Sequence, residues 1–183
     1  MTAAVVLAAG ASTRLGEPKQ LVVLAGETLL ERAVRTARDA GCWPVVVVLG
    51  AEAVRIRERC ALGGATVLVN EAWPEGMASS IRIGVGALGG ADGVVLMTCD
   101  QPAVTAEHLR ALSASGQVTA SAYAGRRGVP AYFPVATFPA LLELRGDAGA
   151  RELLRAAAVV DLPGGELDVD TAVERAEAER LFG

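Results

Sequence analysis

Four short runs of almost continuous apolar residues, separated by segments with helical periodicity, constrain the fold of this chain more than any other feature. The runs are Ala3–Ala8, Pro44–Leu49, Ala65–Val69 and Gly93–Thr98. Such runs are typical of strands that are buried on both faces of a parallel sheet and connected by helices. The pattern therefore predicts an α/β fold of three layers, with these four strands at the centre of a mostly parallel sheet.

Weaker patterns extend this arrangement. Thr28 and Glu31 have the spacing of a capping box at a helix start, and Gly41 is placed to end that helix. Two more strands are predicted, at Val118–Tyr123 and Ala131–Phe133. Further helices are predicted after Thr171 and at Ala51–Leu62, Ala78–Leu88, Ala106–Ala114, Ala136–Leu144 and Ala150–Ala157. At 183 residues the chain is long enough for one sizeable core, so we expect a single domain over residues 1–183.

Composition argues against several classes of protein. The formal charge is -4, whereas nucleic-acid and membrane-surface binders need a positive face. No apolar stretch approaches the ~20 residues that cross a bilayer. Cys42, Cys60 and Cys99 are odd in number and lack the paired spacing of a zinc site. We therefore expect a reduced, cytoplasmic protein without nucleic-acid or membrane partners.

Small residues and two cations follow the first predicted strand. A loop of small residues lets its backbone approach a ligand closely, and successive N–H groups in such a loop bind anions. Arg14 and Lys19 add positive charge, and Lys19 is the one lysine among 17 basic residues. The loop has neither the ending of a P-loop nor the glycine spacing of a dinucleotide fold. It predicts a triphosphate site, with a plain strand-to-helix turn as the alternative. The residues expected to contact the nucleotide here are Leu7, Ala8, Ala9, Gly10, Ser12, Arg14 and Lys19.

Three aspartates are candidates for a metal site. Asp100 follows the Gly93–Thr98 run, at the edge where open α/β sheets bind ligands. Asp168 and Asp170 alternate as in a strand, which would place both on one face. Magnesium needs only one or two carboxylates in addition to phosphate oxygens and water. Asp100 and Asp170 are therefore predicted to hold Mg²⁺, with Asp168 as the alternative second ligand; a turn aspartate and a helix-start charge are the structural alternatives.

A polar loop between the third run and the next helix is a candidate for base recognition. Asn70, Ser79 and Ser80 lie beside Gly76 in this loop, and an amide there could bind the edge of a pyrimidine. Ordinary turn formation explains the same residues equally well. The only histidine, His108, is predicted to be a surface or helix-start residue. The glycines Gly84, Gly86 and Gly89 precede a strand instead of following one, which favours a packed helix end over a pyrophosphate site.

At these motifs the chain resembles the molybdenum cofactor cytidylyltransferase family, within the wider nucleotidyltransferases. The resemblance covers nearly the whole length. Leu7-Ala8-Ala9-Gly10 with Lys19-Gln20-Leu21 resembles the family's nucleotide loop, and Asp100-Gln101-Pro102 resembles its metal-binding turn. More specific to the cytidylyl branch are Ala9 and the segments Asn70–Arg82, Gly146–Arg151 and Asp168–Thr171.

The resemblance implies a fold of the nucleotide-diphospho-sugar transferase type and the Mg²⁺-dependent transfer of CMP from CTP to a phosphorylated acceptor. It implies molybdopterin as the acceptor, a molybdenum hydroxylase as the recipient of the product, and acceptor contacts from Gln101, Pro130, Asp147 and Arg151. In one position the chain departs from the family, because Gly128-Val129-Pro130 stands where the branch usually has Gly-His-Pro. Transfer to a sugar phosphate therefore stays open, as does a non-catalytic molybdopterin carrier. From spacing alone, Asp147 and Arg151 equally fit a helix cap with an ion pair.

Overall fold

A mostly parallel sheet of seven strands forms the centre of the fold. The computed structural model describes residues 1–147 and 149–183. The strands in chain order are β1 (Thr2–Ala8), β2 (Val23–Leu24), β3 (Glu27–Thr28), β4 (Val45–Leu49), β5 (Thr66–Val69), β6 (Gly93–Thr98), β7 (Thr119–Tyr123), β8 (Arg126–Pro134) and β9 (Ala158–Asp161). The order across the sheet is β5-β4-β1-β6-β8-β7-β9, and β2 pairs with β3 in a separate hairpin. Only β8 runs against the other six strands of the large sheet within the described residues.

Six α-helices and four short 3-10 helices accompany the strands in the described part of the chain. The α-helices are α1 (Leu29–Asp39), α2 (Ala53–Arg59), α3 (Met77–Gly86), α4 (Ala106–Ser113), α5 (Phe138–Leu142) and α6 (Ala172–Phe182). The 3-10 helices are Lys19–Leu21, Trp73–Glu75, Val135–Thr137 and Arg151–Leu154. The predicted capping box of α1 is confirmed, because Thr28 accepts from the Glu31 backbone and Glu31 accepts from the Thr28 backbone. None of the described helices has the length and apolar character needed to span a membrane.

Alternating residues of the central strands build two cores, one on each face of the sheet. Val6 of β1 packs on one face with residues of α1, α2 and α4. Its neighbour Val5 packs on the other face with α3 and α5. A third, smaller core joins the β2–β3 hairpin to the C-terminal segment through Leu24, Val169 and Ala178. The prediction of an α/β fold with helices on both faces of a mostly parallel sheet is confirmed.

The position of β5 differs from the prediction. This strand lies at the edge of the sheet and not at its centre, and both of its end residues, Thr66 and Val69, are exposed. The predicted helix at Ala150–Ala157 is a single 3-10 turn, and the unpredicted strand β9 follows it directly. The first error arises because a short apolar run does not indicate how many neighbours will cover it. The second arises because the periodicity of so short a segment does not distinguish a helix from a turn followed by a strand.

The segment before α6 is also different. Leu167–Asp170 is not a strand, although it was predicted to alternate like one. The backbone N–H of Val169 donates to the carbonyl of Asp100 at 2.9 Å, and the Val169 side chain is fully buried. This contact helps to hold the C-terminal segment beside the end of β6. Asp168 and Asp170, on either side of Val169, are thereby kept close to Asp100.

Gly84 shows why the glycine motif in α3 is a packing feature. A Cβ at Gly84 would lie 2.5 Å from Cγ1 of Val5 and 3.2 Å from Cγ2 of Val48. The absence of a side chain therefore lets α3 approach β1 and β4 closely. The prediction of a packed helix end is confirmed for this residue.

Candidate active site

The loop after β1 is held by hydrogen bonds to its carbonyl groups. The side-chain Nε2 of Gln20 donates to the carbonyls of Ala8 at 2.7 Å and Gly10 at 3.2 Å. The carbonyl of Ala9 accepts from the backbone N–H of Ala51. Since the carbonyls of three successive residues are bonded within the protein, the loop has a defined shape. Leu7, Ala8, Ala9 and Gly10 line a cleft with that shape.

The far end of the loop is closed by Ser12. Its backbone has φ +52°, and its Oγ accepts from the backbone N–H of Lys19 at 3.0 Å. This bond connects the loop that follows Gly10 to the start of the 3-10 helix Lys19–Leu21. Ser12 thus supports the position of Lys19; it is not among the residues that line the cleft.

Lys19 lies between two of the predicted carboxylates. Its Nζ donates to Oδ2 of Asp100 and, at 2.7 Å, to Oδ1 of Asp170. The side chains are 17% exposed for Lys19, 10% for Asp100 and 26% for Asp170. Arg14 donates to the other oxygen of Asp170, also at 2.7 Å, but its side chain is 70% exposed. The predicted residues Arg14, Lys19, Asp100 and Asp170 are therefore brought together as one cluster.

The cluster shifts the pKa values of its members. Burial lowers the pKa of Lys19, but Asp100 and Asp170 outweigh that effect and the pKa is raised above its usual value. Burial acts against the charge of Asp170, yet Lys19 and Arg14 lower its pKa overall. Asp168 is different: burial, together with the negative charge of Asp100, raises its pKa to about 6. Asp168 does not pair with Lys19; it faces Arg126, with 3.8 Å between its Oδ2 and a guanidinium nitrogen.

One oxygen of Asp100 is suited to a cation. Oδ1 of Asp100 is buried and has no hydrogen-bond partner among the described residues. A buried carboxylate oxygen without a partner is costly, and a divalent cation would satisfy it. The described residues contain no group of three or more His, Cys, Asp or Glu side chains arranged to hold a metal ion. A cation bound here would therefore take most of its ligands from substrate and water.

The cleft lined by the loop has a volume of about 540 Å³. Its opposite wall includes Trp73, Gly76, Met77 and Ser80, and Asp100 lies at its end. Gly76 has φ +107°, and a Cβ there would lie 2.7 Å from the carbonyl oxygen of Gly146. A glycine is needed at this point because two backbone segments meet there.

Two residues predicted to contact the base lie behind this wall. The side chain of Asn70 is fully buried, and its Nδ2 donates to Ser79 Oγ at 2.8 Å and Ser80 Oγ at 2.9 Å. Ser79 in turn donates to the carbonyls of Ala72 and Gly76. Asn70 therefore fixes the loop to the start of α3, and its position does not indicate a direct contact with a base. Gly76 and Ser80 do line the cleft, and for these two a contact with the nucleotide stays a prediction.

A second cavity of about 570 Å³ adjoins the first. Both cavities are lined by Met77, Thr98, Asp100 and Asp147, so they meet at the end of β6. The predicted acceptor residues Gln101, Asp147 and Arg151 line the second cavity. Asp147 precedes the 3-10 helix that begins at Arg151, so the two are not on one face of a helix. Ala148, in the same motif, lies outside the described residues.

Pro130 and His108 lie behind the second cavity. The carbonyl of Pro130 accepts from Ser121 Oγ at 2.6 Å, and Ser121 Oγ is 2.7 Å from His108 Nε2. His108 is buried, which lowers its pKa. Of the two positions predicted for His108, the helix start is confirmed, because His108 lies in the first turn of α4. The surface position is wrong, because the ring faces inward and pairs with a hydroxyl.

Sequence reasoning did not identify several residues that line the two cavities, and three of these have a clear structural role. Gln20 shapes the loop; it was noted only as part of a motif. Tyr123 and Arg126 line the second cavity from the turn between β7 and β8. The pair Arg126 and Arg127, next to a glycine, could have indicated an anion site. That inference requires knowing that β8 runs antiparallel beside β6, which the sequence does not indicate.

The sequence and the fold are similar to those of known proteins. Residues 4–162 match the model of the MobA-like NTP transferase domain. The chain is 37% identical to the nicotine blue oxidoreductase of Paenarthrobacter nicotinovorans, over 82% of this chain and 80% of that protein. It is 34% identical to the purine catabolism protein PucB of Bacillus subtilis (strain 168), over 93% and 92% of the two chains.

One solved structure of similar sequence is a complex with manganese. It is the complex of Rv0371C with manganese from Mycobacterium tuberculosis H37Rv, with 32% identity, a TM-score of 0.82 and 98% of both chains covered. The family match runs from within β1 to β9 and includes the loop, Asp100 and all residues that line the first cavity. This chain therefore belongs to the family of MobA-like NTP transferase domains.

Proposed function

We propose that this protein is a Mg²⁺-dependent cytidylyltransferase that transfers CMP from CTP to molybdopterin or a closely related phosphorylated acceptor. One observation carries the proposal: Asp100 lines both cavities, so a group bound in one meets a group bound in the other at this carboxylate. Transfer of a nucleotidyl group requires two substrates that meet in this way.

The reaction needs positioning and charge neutralisation more than acid–base chemistry. An oxygen of the acceptor phosphate attacks the α-phosphorus of CTP and forms a new P–O bond. The bond from the α-phosphorus to the bridging oxygen breaks, and pyrophosphate leaves with its electron pair. A phosphate acceptor is already ionised at neutral pH, so no general base is required. The buried His108, which pairs with Ser121, is consistent with this.

The loop and its cations would bind the triphosphate. Because the carbonyls of Ala8, Ala9 and Gly10 are bonded within the protein, the N–H groups of this turn are the groups suited to an anion. Lys19 holds a positive charge at the cleft, and Arg14 adds a second, exposed charge. These groups would stabilise the charge that develops on the departing pyrophosphate.

Asp100 and Asp170 would hold the Mg²⁺. The buried, unpartnered oxygen of Asp100 supports this assignment, and Asp170 is favoured over Asp168 because it shares Lys19 with Asp100. When bound, the cation supplies neutralisation of charge on the phosphate oxygens. The manganese complex of the Mycobacterium tuberculosis protein supports a divalent cation in a chain of this kind.

Pyrophosphate release tests the proposal. The full chain would be incubated with Mg²⁺, each of the four NTPs and either molybdopterin or a sugar phosphate as the acceptor. Release that depends on both CTP and molybdopterin supports the proposal, with the cytosine dinucleotide as the product. Release with a sugar phosphate alone would overturn the acceptor assignment.

Two further outcomes would overturn the reaction itself. Tight binding of molybdopterin without release from any pair would identify a carrier. Oxidation or reduction of nicotine blue without pyrophosphate release would point to the activity named for the Paenarthrobacter relative. Arg14→Ala and Lys19→Ala are expected to lower turnover by at least about tenfold each, because each removes a charge-assisted contact. Unchanged rates would remove the loop from the mechanism.

A further inference from the structure

Tyr123 is one of the residues that line the second cavity. Its hydroxyl donates to the carbonyl of Val129 at 3.0 Å and accepts from Nε2 of Gln101 at 3.2 Å. Burial raises the pKa of Tyr123, so the phenol keeps the proton that it donates. The hydroxyl thus links the end of β6 to the strand β8.

Glycines on two sides make room for the Tyr123 ring. A Cβ at Gly165 would lie 2.9 Å from Cδ1 of Tyr123, and a Cβ at Gly128 would meet its hydroxyl. The carbonyl of Gly165 also accepts from Gln101 at 3.0 Å. The close neighbours and the two hydrogen bonds of the hydroxyl restrict the position of the ring.

Arg126 is placed by this ring. Its guanidinium lies over the Tyr123 ring, 5.1 Å from the centroid, and 3.8 Å from the carboxylate of Asp168. A guanidinium has five N–H donors in one plane, so these contacts leave donors for an anion in the cavity. Arg127, the next residue, instead donates to the carbonyl of Arg155 at 3.2 Å.

We propose that Arg126 is a specificity-determining residue that binds the phosphate of the acceptor, and that Tyr123 is the positioning residue that holds Arg126 in the second cavity. This inference rests on the proposed function for the identity of the acceptor. According to this inference, the residues that flank the turn between β7 and β8 let the protein bind a phosphorylated acceptor more tightly than the same molecule without its phosphate.

The affinity for two probes, measured without any NTP, tests the assignment. The probes are molybdopterin and its dephosphorylated form, bound anaerobically to the full chain and followed by pterin fluorescence. Arg126→Gln is expected to weaken binding of molybdopterin by about 10- to 100-fold, the usual effect of a charge-assisted hydrogen bond, and to change binding of the dephosphorylated form by less than about twofold. Equal losses for both probes would overturn the assignment to phosphate.

Variants of Tyr123 test the positioning role. Tyr123→Leu removes the ring and the hydroxyl and is expected to weaken molybdopterin binding by about tenfold, whereas Tyr123→Phe keeps the ring and is expected to weaken it by only about threefold. The double variant Arg126→Gln/Tyr123→Leu should bind no more weakly than Arg126→Gln alone, because Tyr123 acts through Arg126. Losses that multiply in the double variant would show that Tyr123 does not act in this way.

A matched control is available in Arg155. Its side chain is 74% exposed, pairs with Glu152 and does not line the second cavity. Arg155→Gln removes one positive charge from the same region and is expected to change the affinity for either probe by less than about twofold. A larger effect would show that general charge, and not Arg126, binds the phosphate.

Steady-state kinetics separate this inference from the proposed function. If CTP and molybdopterin give turnover, Arg126→Gln should raise the KM for molybdopterin and leave the KM for CTP unchanged; an unchanged acceptor KM would overturn the inference alone. If no pair gives turnover but Arg126→Gln still removes the preference for the phosphorylated probe, the proposed function fails and the inference stands.

Discussion

Replacement of Lys19 by methionine should destabilise the folded protein much more than replacement of Arg14. Lys19 is the cation between Asp100 and Asp170, and its side chain is only 17% exposed. Removing one partner from a buried ion pair typically costs about 3–5 kcal/mol. We expect the lower end, about 3 kcal/mol, because Asp170 keeps Arg14 and is itself 26% exposed.

The control is Arg14→Met, which removes a contact of a side chain that is 70% exposed. Exposed pairs contribute less than about 1 kcal/mol. For a chain of this size, 1 kcal/mol changes Tm by about 2–4 °C, so Lys19→Met should lower Tm by about 6–12 °C and Arg14→Met by no more than about 4 °C. Both are measured by urea and thermal unfolding, followed by far-UV circular dichroism in EDTA.

A double-variant cycle locates the cause. In Asp100→Asn the buried carboxylate is already absent, so adding Lys19→Met should cost at least about 1 kcal/mol less than it does in the parent chain. Added Mg²⁺ should restore part of the stability of Lys19→Met and none of that of the double variant. Additive costs, or equal effects of Lys19→Met and Arg14→Met, would refute the view that Lys19 neutralises Asp100.

Three further predictions follow from burial and backbone geometry. The folded-state pKa of Asp168, about 6, lies above its unfolded value of 3.8, so ionisation of Asp168 destabilises the fold as the pH rises. Asp168→Asn should therefore raise the free energy of unfolding by about 1 kcal/mol at pH 7.5, a value discounted for partial exposure, and should not change it below about pH 4. Urea unfolding in EDTA measures both. Gly76→Ala should weaken NTP binding by about tenfold in calorimetry because of its φ of +107°, whereas Gly89→Ala, whose Cβ would meet nothing within 4 Å, should not. Burial raises the pKa of each thiol, so a thiol reagent at pH 8 should react with three cysteines in urea and with none in the native protein; rapid native labelling would contradict their burial at Cys42, Cys60 and Cys99.

The parts of the site that could be predicted follow from the pairing of parallel strands. Lys19 and Asp100 come after β1 and β6, and these strands are direct neighbours in the sheet. The ends of adjacent parallel strands meet at one edge, so two polar residues that follow such strands are brought together. The same rule explains why the loop and the aspartate could be assigned to one site.

Other features depend on contacts that no local pattern indicates. The amide of Asn70 is a group that often binds ligands, but in the fully buried side chain it donates to Ser79 and Ser80 instead. The run Ala65–Val69 resembles a central strand, yet it has one neighbour, β4. Arg126 acquires its position from the Tyr123 ring beneath it and from Asp168, neither of which is part of the local pattern of β8.

The contact between Lys19 and Asp170 joins residues that are 151 positions apart in the chain. A bond of this span exists only when the sheet, the hairpin β2–β3 and α6 are all in place, so the site forms with the whole fold and not as a local unit. A ligand that binds only the folded state adds stability through mass action, about 2.7 kcal/mol at 100 times its Kd. In hydrogen exchange, nucleotide binding should therefore slow the amides of the central strands and of α6 together, because the site joins the loop after β1 to Asp170, which lies directly before α6.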